Sequence, residues 1–151
     1  MTARIFSLSL VGAQFACVAL ALWPFVEWHA SAFGFALVSA GGAMAIWTLA
    51  FNRLGNFNIL PEVKSDARLI TSGPYAYIRH PMYSALMLLV FGVVGLHASW
   101  VNVLAACALV AVLAVKSGVE EQRLEHAFDD YRDYASRVGR FVPILRRRRP
   151  T

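Results

Sequence analysis

This chain has little charge. Asp, Glu, Lys and Arg make up only 15% of its 151 residues, against 58% apolar ones; that balance lies outside the range of a soluble domain and leaves a bilayer to do the burying. Lys and Arg are missing altogether from four apolar runs, at about 5–25, 30–51, 81–97 and 99–115. A net charge of +5 would by itself suggest a nucleic-acid partner, but the basic residues crowd between and after the apolar runs, as on one side of a membrane protein. Cysteine is scarce as well. Cys17 and Cys107 sit inside apolar runs with no metal-ligand spacing around them and read as small buried hydrophobes. His29, His97 and His126 are scattered, and no metal is assigned to them. There is no internal repeat, and the only low-complexity stretch is the run Arg146 to Arg149.

What is present is a chain long enough for one domain and too short for two. The first apolar run is long enough to cross a hydrocarbon core of roughly 30 Å as a helix. It continues through Leu22 and Trp23, beyond the length of a signal-peptide core, and so reads as a retained span. The second run carries Gly34, Ser39, Gly41 and Gly42, small residues that predict close packing between the first two helices. The runs 81–97 and 99–115 are joined so tightly around His97-Ala98-Ser99 that they predict an antiparallel hairpin. Pro81 suits the first turn of its helix, where an amide hydrogen would have no intrahelical partner. The spacing of Leu124, Phe128, Tyr131 and Ala135 predicts an amphipathic helix over 119–138. The fold expected is all-α: an integral membrane protein of about four transmembrane helices followed by a C-terminal cytoplasmic amphipathic helix. If Arg4 is cytoplasmic, both termini are, and all fourteen Lys and Arg fall on that side; a bacterial-type inner membrane fits this multi-pass pattern.

The polar connection 52–80 is long for a compact domain and reads as an ordered binding segment. It ends in Gly73-Pro74-Tyr75-Ala76-Tyr77-Ile78-Arg79-His80-Pro81-Met82-Tyr83. The expected topology sets this stretch against Glu120 and Glu121, on the same side of the membrane. One partner offers Arg79, His80 and a helix N-terminus, which favour an anion. The other offers a carboxylate pair beside the membrane, which calls for a cation or hydrogen-bond donors. Together they suit a ligand that carries both signs, and tyrosine faces can meet a sulfonium. The same residues also have plainer uses: a helix cap for His80, a solvated first turn for the glutamates, interfacial anchoring for the tyrosines.

These motifs, together with Phe128-Asp129-Asp130-Tyr131-Arg132-Asp133-Tyr134, Arg137, Arg140, Phe141 and Pro143, resemble the isoprenylcysteine carboxyl methyltransferase family and its relatives, the membrane phospholipid methyltransferases. The resemblance covers roughly the C-terminal two-thirds of the chain. It departs at Ala85, where the family usually carries glycine. The resemblance implies S-adenosylmethionine as cofactor, bound by Tyr75, Tyr77, His80, Pro81, Tyr83, Glu120 and Glu121. It also implies catalytic roles for Glu121 and Arg137, and substrate binding by Arg137 and Arg140. The implied partners are membrane lipids and a lipophilic or lipid substrate, with neither nucleic acid nor metal. Alternatives are a phospholipid N-methyltransferase, which needs room for a phosphate at Arg137, Arg140 or Lys116; a methyltransferase for small hydrophobic thiols or isoprenoids; and a non-catalytic membrane module that docks lipids or a protein.

Overall fold

The computed structural model describes residues 2–51, 69–97 and 99–144, with side chains from Ile5 onward. The polar connection over 52–68 and the arginine run at 146–149 therefore lie outside the described residues. The described residues form five α-helices: α1 (Thr2–Leu22), α2 (Ala32–Phe51), α3 (Pro81–His97), α4 (Trp100–Ala127) and the short α5 (Tyr131–Arg137). A 3-10 turn, Gly73–Ala76, precedes α3. Three of the helices, α1, α2 and α4, are long and apolar enough to cross a membrane, and α3 is a shorter apolar helix. The lipid-facing character is direct: Phe15, Phe33, Ile46 and Leu104 all stand exposed on the outside of the bundle.

Local chemistry sets where the helices begin and end. Ser31 accepts a hydrogen bond from the Gly34 amide at 3.1 Å and caps α2. Ser99 and Asn102 cap α4 reciprocally: the Asn102 amide donates to Ser99 Oγ at 3.3 Å and the Ser99 amide to Asn102 Oδ1 at 3.1 Å. The Asn102 side-chain amide also reaches the carbonyls of Leu20, Ala21 and Trp23 at 2.9–3.1 Å. A fully buried Asn thus satisfies the carbonyls that the end of α1 leaves open, and the α1·α4 pair is locked at that end.

The bundle is two pairs, α2 on α3 and α1 on α4, joined where α3 meets α4. This corrects the expected partner of the α2 glycines, which face α3 rather than α1. A Cβ on Gly41 would lie 2.8 Å from the Leu89 amide nitrogen, and one on Gly92 would lie 2.7 Å from that of Val38. Only hydrogen leaves room for two backbones so close. Ala85 belongs to the same seam, fully buried, with its carbonyl against Gly41. Position 85 is therefore kept small by helix packing. The apolar core between the pairs holds Val90, Val94, Ala106, Leu109 and Leu113.

A second correction concerns 119–138, which is not one helix. No residue in Lys116-Ser117-Gly118 breaks α4; Ser117 simply turns its hydroxyl back to the Ala114 carbonyl at 3.0 Å. With 28 residues, α4 is about 42 Å long, against a hydrocarbon core of about 30 Å. Its last turns therefore project past the membrane and carry Glu120 and Glu121 with them. The break falls instead at Phe128-Asp129-Asp130, where Phe128 takes up an extended backbone (φ −135°, ψ 115°) and its amide makes the last bond back to the Leu124 carbonyl. Beyond it, Tyr131, Tyr134 and Val138 form a small second core with Leu69, Leu124 and Phe128. The stripe expected on a single helix is thus used across a bend.

Candidate active site

The polar end of α3 and α4 is closed by the chain segment after α5, which lies back along the segment before α3. The Arg79 amide donates to the Gly139 carbonyl at 2.8 Å and the His80 amide to the Arg140 carbonyl at 3.0 Å, with Ile78 and Gly139 forming a parallel bridge. Ser84 in the first turn of α3 donates to the Phe141 carbonyl at 2.7 Å, and the Tyr134 hydroxyl to the Tyr75 carbonyl at 2.7 Å. Gly139 has no room for a side chain, because a Cβ there would lie on top of the Val142 carbonyl. Gly73 adopts φ +60° against the Phe51 ring, a left-handed conformation that glycine takes without cost. It turns the chain into Pro74 and Tyr75.

Inside this closure Glu121 is the hub. Its Oε1 accepts from Arg79 Nε at 2.9 Å and lies 3.1 Å from His80 Nε2, while its Oε2 accepts from Arg140 Nη2 at 2.5 Å. Arg79 continues through Nη1 to the carbonyls of Ala135 at 2.7 Å and Val138 at 2.5 Å, so one guanidinium ties α4 to α5. Glu120 accepts from the Tyr83 hydroxyl at 2.5 Å and faces His80 Nδ1 at 3.4 Å. His80 thus turns each ring nitrogen to a carboxylate, an arrangement that favours a hydrogen on both. Burial pulls its pKa down, but hydrogen bonds and charge from Glu120 and Glu121 outweigh burial and hold it above the ordinary value. The imidazolium lies parallel to the Tyr83 ring, centroids 5.5 Å apart, and is flanked by Phe141. Burial and the nearby Glu120 push the Tyr75 hydroxyl up to about 12, and burial likewise raises Tyr134 to about 12; both remain hydrogen-bond donors at neutral pH. The Tyr131 hydroxyl is buried with no hydrogen-bond partner among the described residues.

Of the residues singled out in the sequence, Tyr75, His80, Pro81, Tyr83, Glu120, Glu121 and Arg140 come together here. Tyr77 does not: it is 59% exposed and its ring lies 6.2 Å from Trp47 on α2. Arg137 also stays outside, bonded to Asp133 one turn back on the outer face of α5. Its place beside the site is taken by Arg79. The signal for this was present, since Asp133 and Arg137 stand four apart, the spacing of a helix-surface ion pair. The Tyr83 ring has Lys116 Nζ 5.4 Å from its centroid. Among the described residues, no group of three His, Cys, Asp or Glu is placed to hold a metal ion.

The described residues thus define an all-helical integral membrane protein with a buried cluster of paired charges at the polar end of two helices. Residues 28–131 match the model of the phospholipid methyltransferase family, and the chain belongs to that family. Among curated proteins it is similar to the cobalt-zinc-cadmium resistance protein CzcN of Cupriavidus metallidurans, 33% identical over 84 residues, which are 54% of this chain and 38% of that protein. It is also similar to the nickel-cobalt-cadmium resistance protein NccN of Alcaligenes xylosoxydans xylosoxydans, 31% identical over 86 residues, 54% of this chain and 39% of that protein. The match thus spans about two fifths of the length of these relatives.

Proposed function

We propose that this protein transfers the methyl group of S-adenosylmethionine to a lipophilic acceptor that enters sideways from the bilayer, in the manner of isoprenylcysteine carboxyl O-methylation. The observation that carries this reading is the charge arrangement around His80. Among the described residues Glu121 is matched by two arginines and an imidazolium, whereas Glu120 has Tyr83 and His80 in contact and the Lys116 charge farther off. A carboxylate with capacity to spare beside an arginine that is 40% exposed, Arg140, suits a ligand with an ammonium at one point and a carboxylate at another. The Tyr75 and Phe141 rings supply flat apolar faces beside it, and the unpartnered Tyr131 hydroxyl lies in the same charged neighbourhood. The donor set fits the cofactor.

When bound, the cofactor supplies an electrophilic methyl group. The protein's own part is placement. Glu120 draws the positive part of the ligand, and Arg140 receives its carboxylate. Arg79 and Glu121 hold α4, α5 and the segment 138–141 in one geometry. His80 fixes both glutamates, and Pro81 starts the helix that presents Tyr83. No nucleophile on the enzyme is required, because orientation and exclusion of water provide the catalysis. In this reading four helices span the membrane, both termini are cytoplasmic, and the cofactor enters from the cytoplasm.

The family description favours a second acceptor, the amine of a phospholipid, served by the same cofactor site. Incubation of the purified protein with methyl-labelled cofactor and total membrane lipid extract separates the outcomes. Label in an extractable lipid is expected, base-labile if the product is an ester and base-stable if it is an N-methyl amine. The absence of any labelled lipid from folded protein overturns the reading.

A further inference from the structure

The strap 138–144, which closes the charged cluster from the C-terminal side, leaves two apolar side chains in the open. Val142 is 70% exposed and Ile144 50%. Neighbouring apolar side chains left open mark a surface that something covers, and their level in the molecule identifies it. α3 has 17 residues and is about 25 Å long, less than a hydrocarbon core of about 30 Å. Its first turn therefore lies no farther out than the edge of the core. Ser84 in that turn donates to the Phe141 carbonyl, which sets Val142 and Ile144 at the boundary between acyl chains and headgroups. Two exposed rings neighbour this rim, Trp47 near the end of α2 and Tyr77 just before α3, with centroids 6.2 Å apart; Trp and Tyr are the side chains that gather at a membrane interface. In sequence the strap leads into Arg146 to Arg149, charges that suit anionic headgroups.

We propose that Val142 and Ile144 dock into the lipid interface, and that this docking holds the strap closed, so that the bilayer surface itself completes the cofactor site. The docking stands on the geometry alone, whereas its link to the cofactor rests on the methyltransferase reading above. The strap binds the site through its backbone: the Gly139 and Arg140 carbonyls accept from the Arg79 and His80 amides, and the Phe141 carbonyl from Ser84. It also carries Arg140, which reaches Glu121 and is the residue assigned to the cofactor carboxylate. A lifted strap draws Arg140 away from Glu121 and uncovers His80. Apolar side chains that are already open gain nothing from closure in water, but in the interface they are buried only while the strap is down. The membrane therefore favours the closed state. Trp47 and Tyr77 belong to the fixed rim and mark its level without taking part in the closure.

The test uses the full chain in nanodiscs of phosphatidylcholine and phosphatidylglycerol and has two arms. In the first, Val142→Trp is compared with the wild type in discs whose phosphatidylcholine is brominated near the headgroup end of its acyl chains. The emission that the added ring contributes should fall by about twofold or more, as for a ring seated in the interface. An added ring that bromine does not quench overturns the proposal. In the second arm S-adenosylhomocysteine is titrated calorimetrically into the wild type, the pair Val142→Ser with Ile144→Ser, and the pair Val142→Leu with Ile144→Leu. The serine pair should bind about tenfold more weakly, and the leucine pair like the wild type. Side chains that face water tolerate all of these changes, so equal affinities in the three folded proteins overturn the proposal, as does a leucine pair as weak as the serine pair. Should the serine pair not fold, Val142→Ser alone serves, because Val142 is the more exposed of the two. If the wild type does not bind S-adenosylhomocysteine, the methyltransferase reading and the link to the cofactor fail together, and the quenching still decides the docking.

Discussion

Arg79 and Glu121 are 42 residues apart in sequence and 2.9 Å apart in space. The same guanidinium holds two carbonyls of the C-terminal segment, those of Ala135 and Val138. Arg79→Ala leaves a buried carboxylate short of a partner and two carbonyls open. A loss of about 3 kcal/mol of stability is expected, read as a lowered unfolding temperature in detergent. Limited proteolysis near 138–144 should also speed up, since this residue pins that segment.

Glu121→Gln keeps the shape and removes the charge that gathers Arg79, His80 and Arg140. S-adenosylhomocysteine binding should weaken by about tenfold or more, and His80→Ala should act in the same direction. Binding unchanged in both variants would mean that the cluster is purely structural.

Arg137 and Tyr77 provide the contrast. Arg137 is spent on Asp133 at the surface and Tyr77 leans on Trp47, so Arg137→Ala and Tyr77→Ala should leave S-adenosylhomocysteine affinity within about twofold, as surface changes away from special features do. A large loss from Arg137→Ala would return that residue to the site.

The imidazolium at His80 makes stability depend on pH with a definite sign. Its folded pKa is raised above the value of about 6.5 expected in the unfolded chain. Its contribution is therefore complete below about pH 6.5 and fades as pH climbs through the raised folded value. The unfolding temperature of the wild type should fall across that rise relative to His80→Gln, which lacks the titrating group. Parallel curves for the two proteins would contradict the assignment.

Much of this arrangement is legible in residue order, and the rest is hidden for identifiable reasons. The apolar runs mark the helices because lipid demands long uncharged stretches, and the cluster 73–83 and Glu120-Glu121 stand out as polarity placed where polarity is costly. The return of 138–141 along 78–80 is invisible, because its hydrogen bonds run between backbone groups that every residue carries. The continuity of α4 is hidden for a related reason: Lys116-Ser117-Gly118 looks like punctuation, yet none of the three forbids a helix. The α2 glycines announce close packing without naming the partner, and α3 rather than α1 meets them. The choice of Arg79 over Arg137 turns on which arginine already has a partner one helical turn away.

The most direct measurement is titration of the purified, folded chain with S-adenosylhomocysteine, followed calorimetrically in detergent. The account predicts saturable binding at one site per chain, weakened by Glu121→Gln and unaffected by Arg137→Ala. No detectable binding by wild-type protein that shows a cooperative unfolding transition would contradict it.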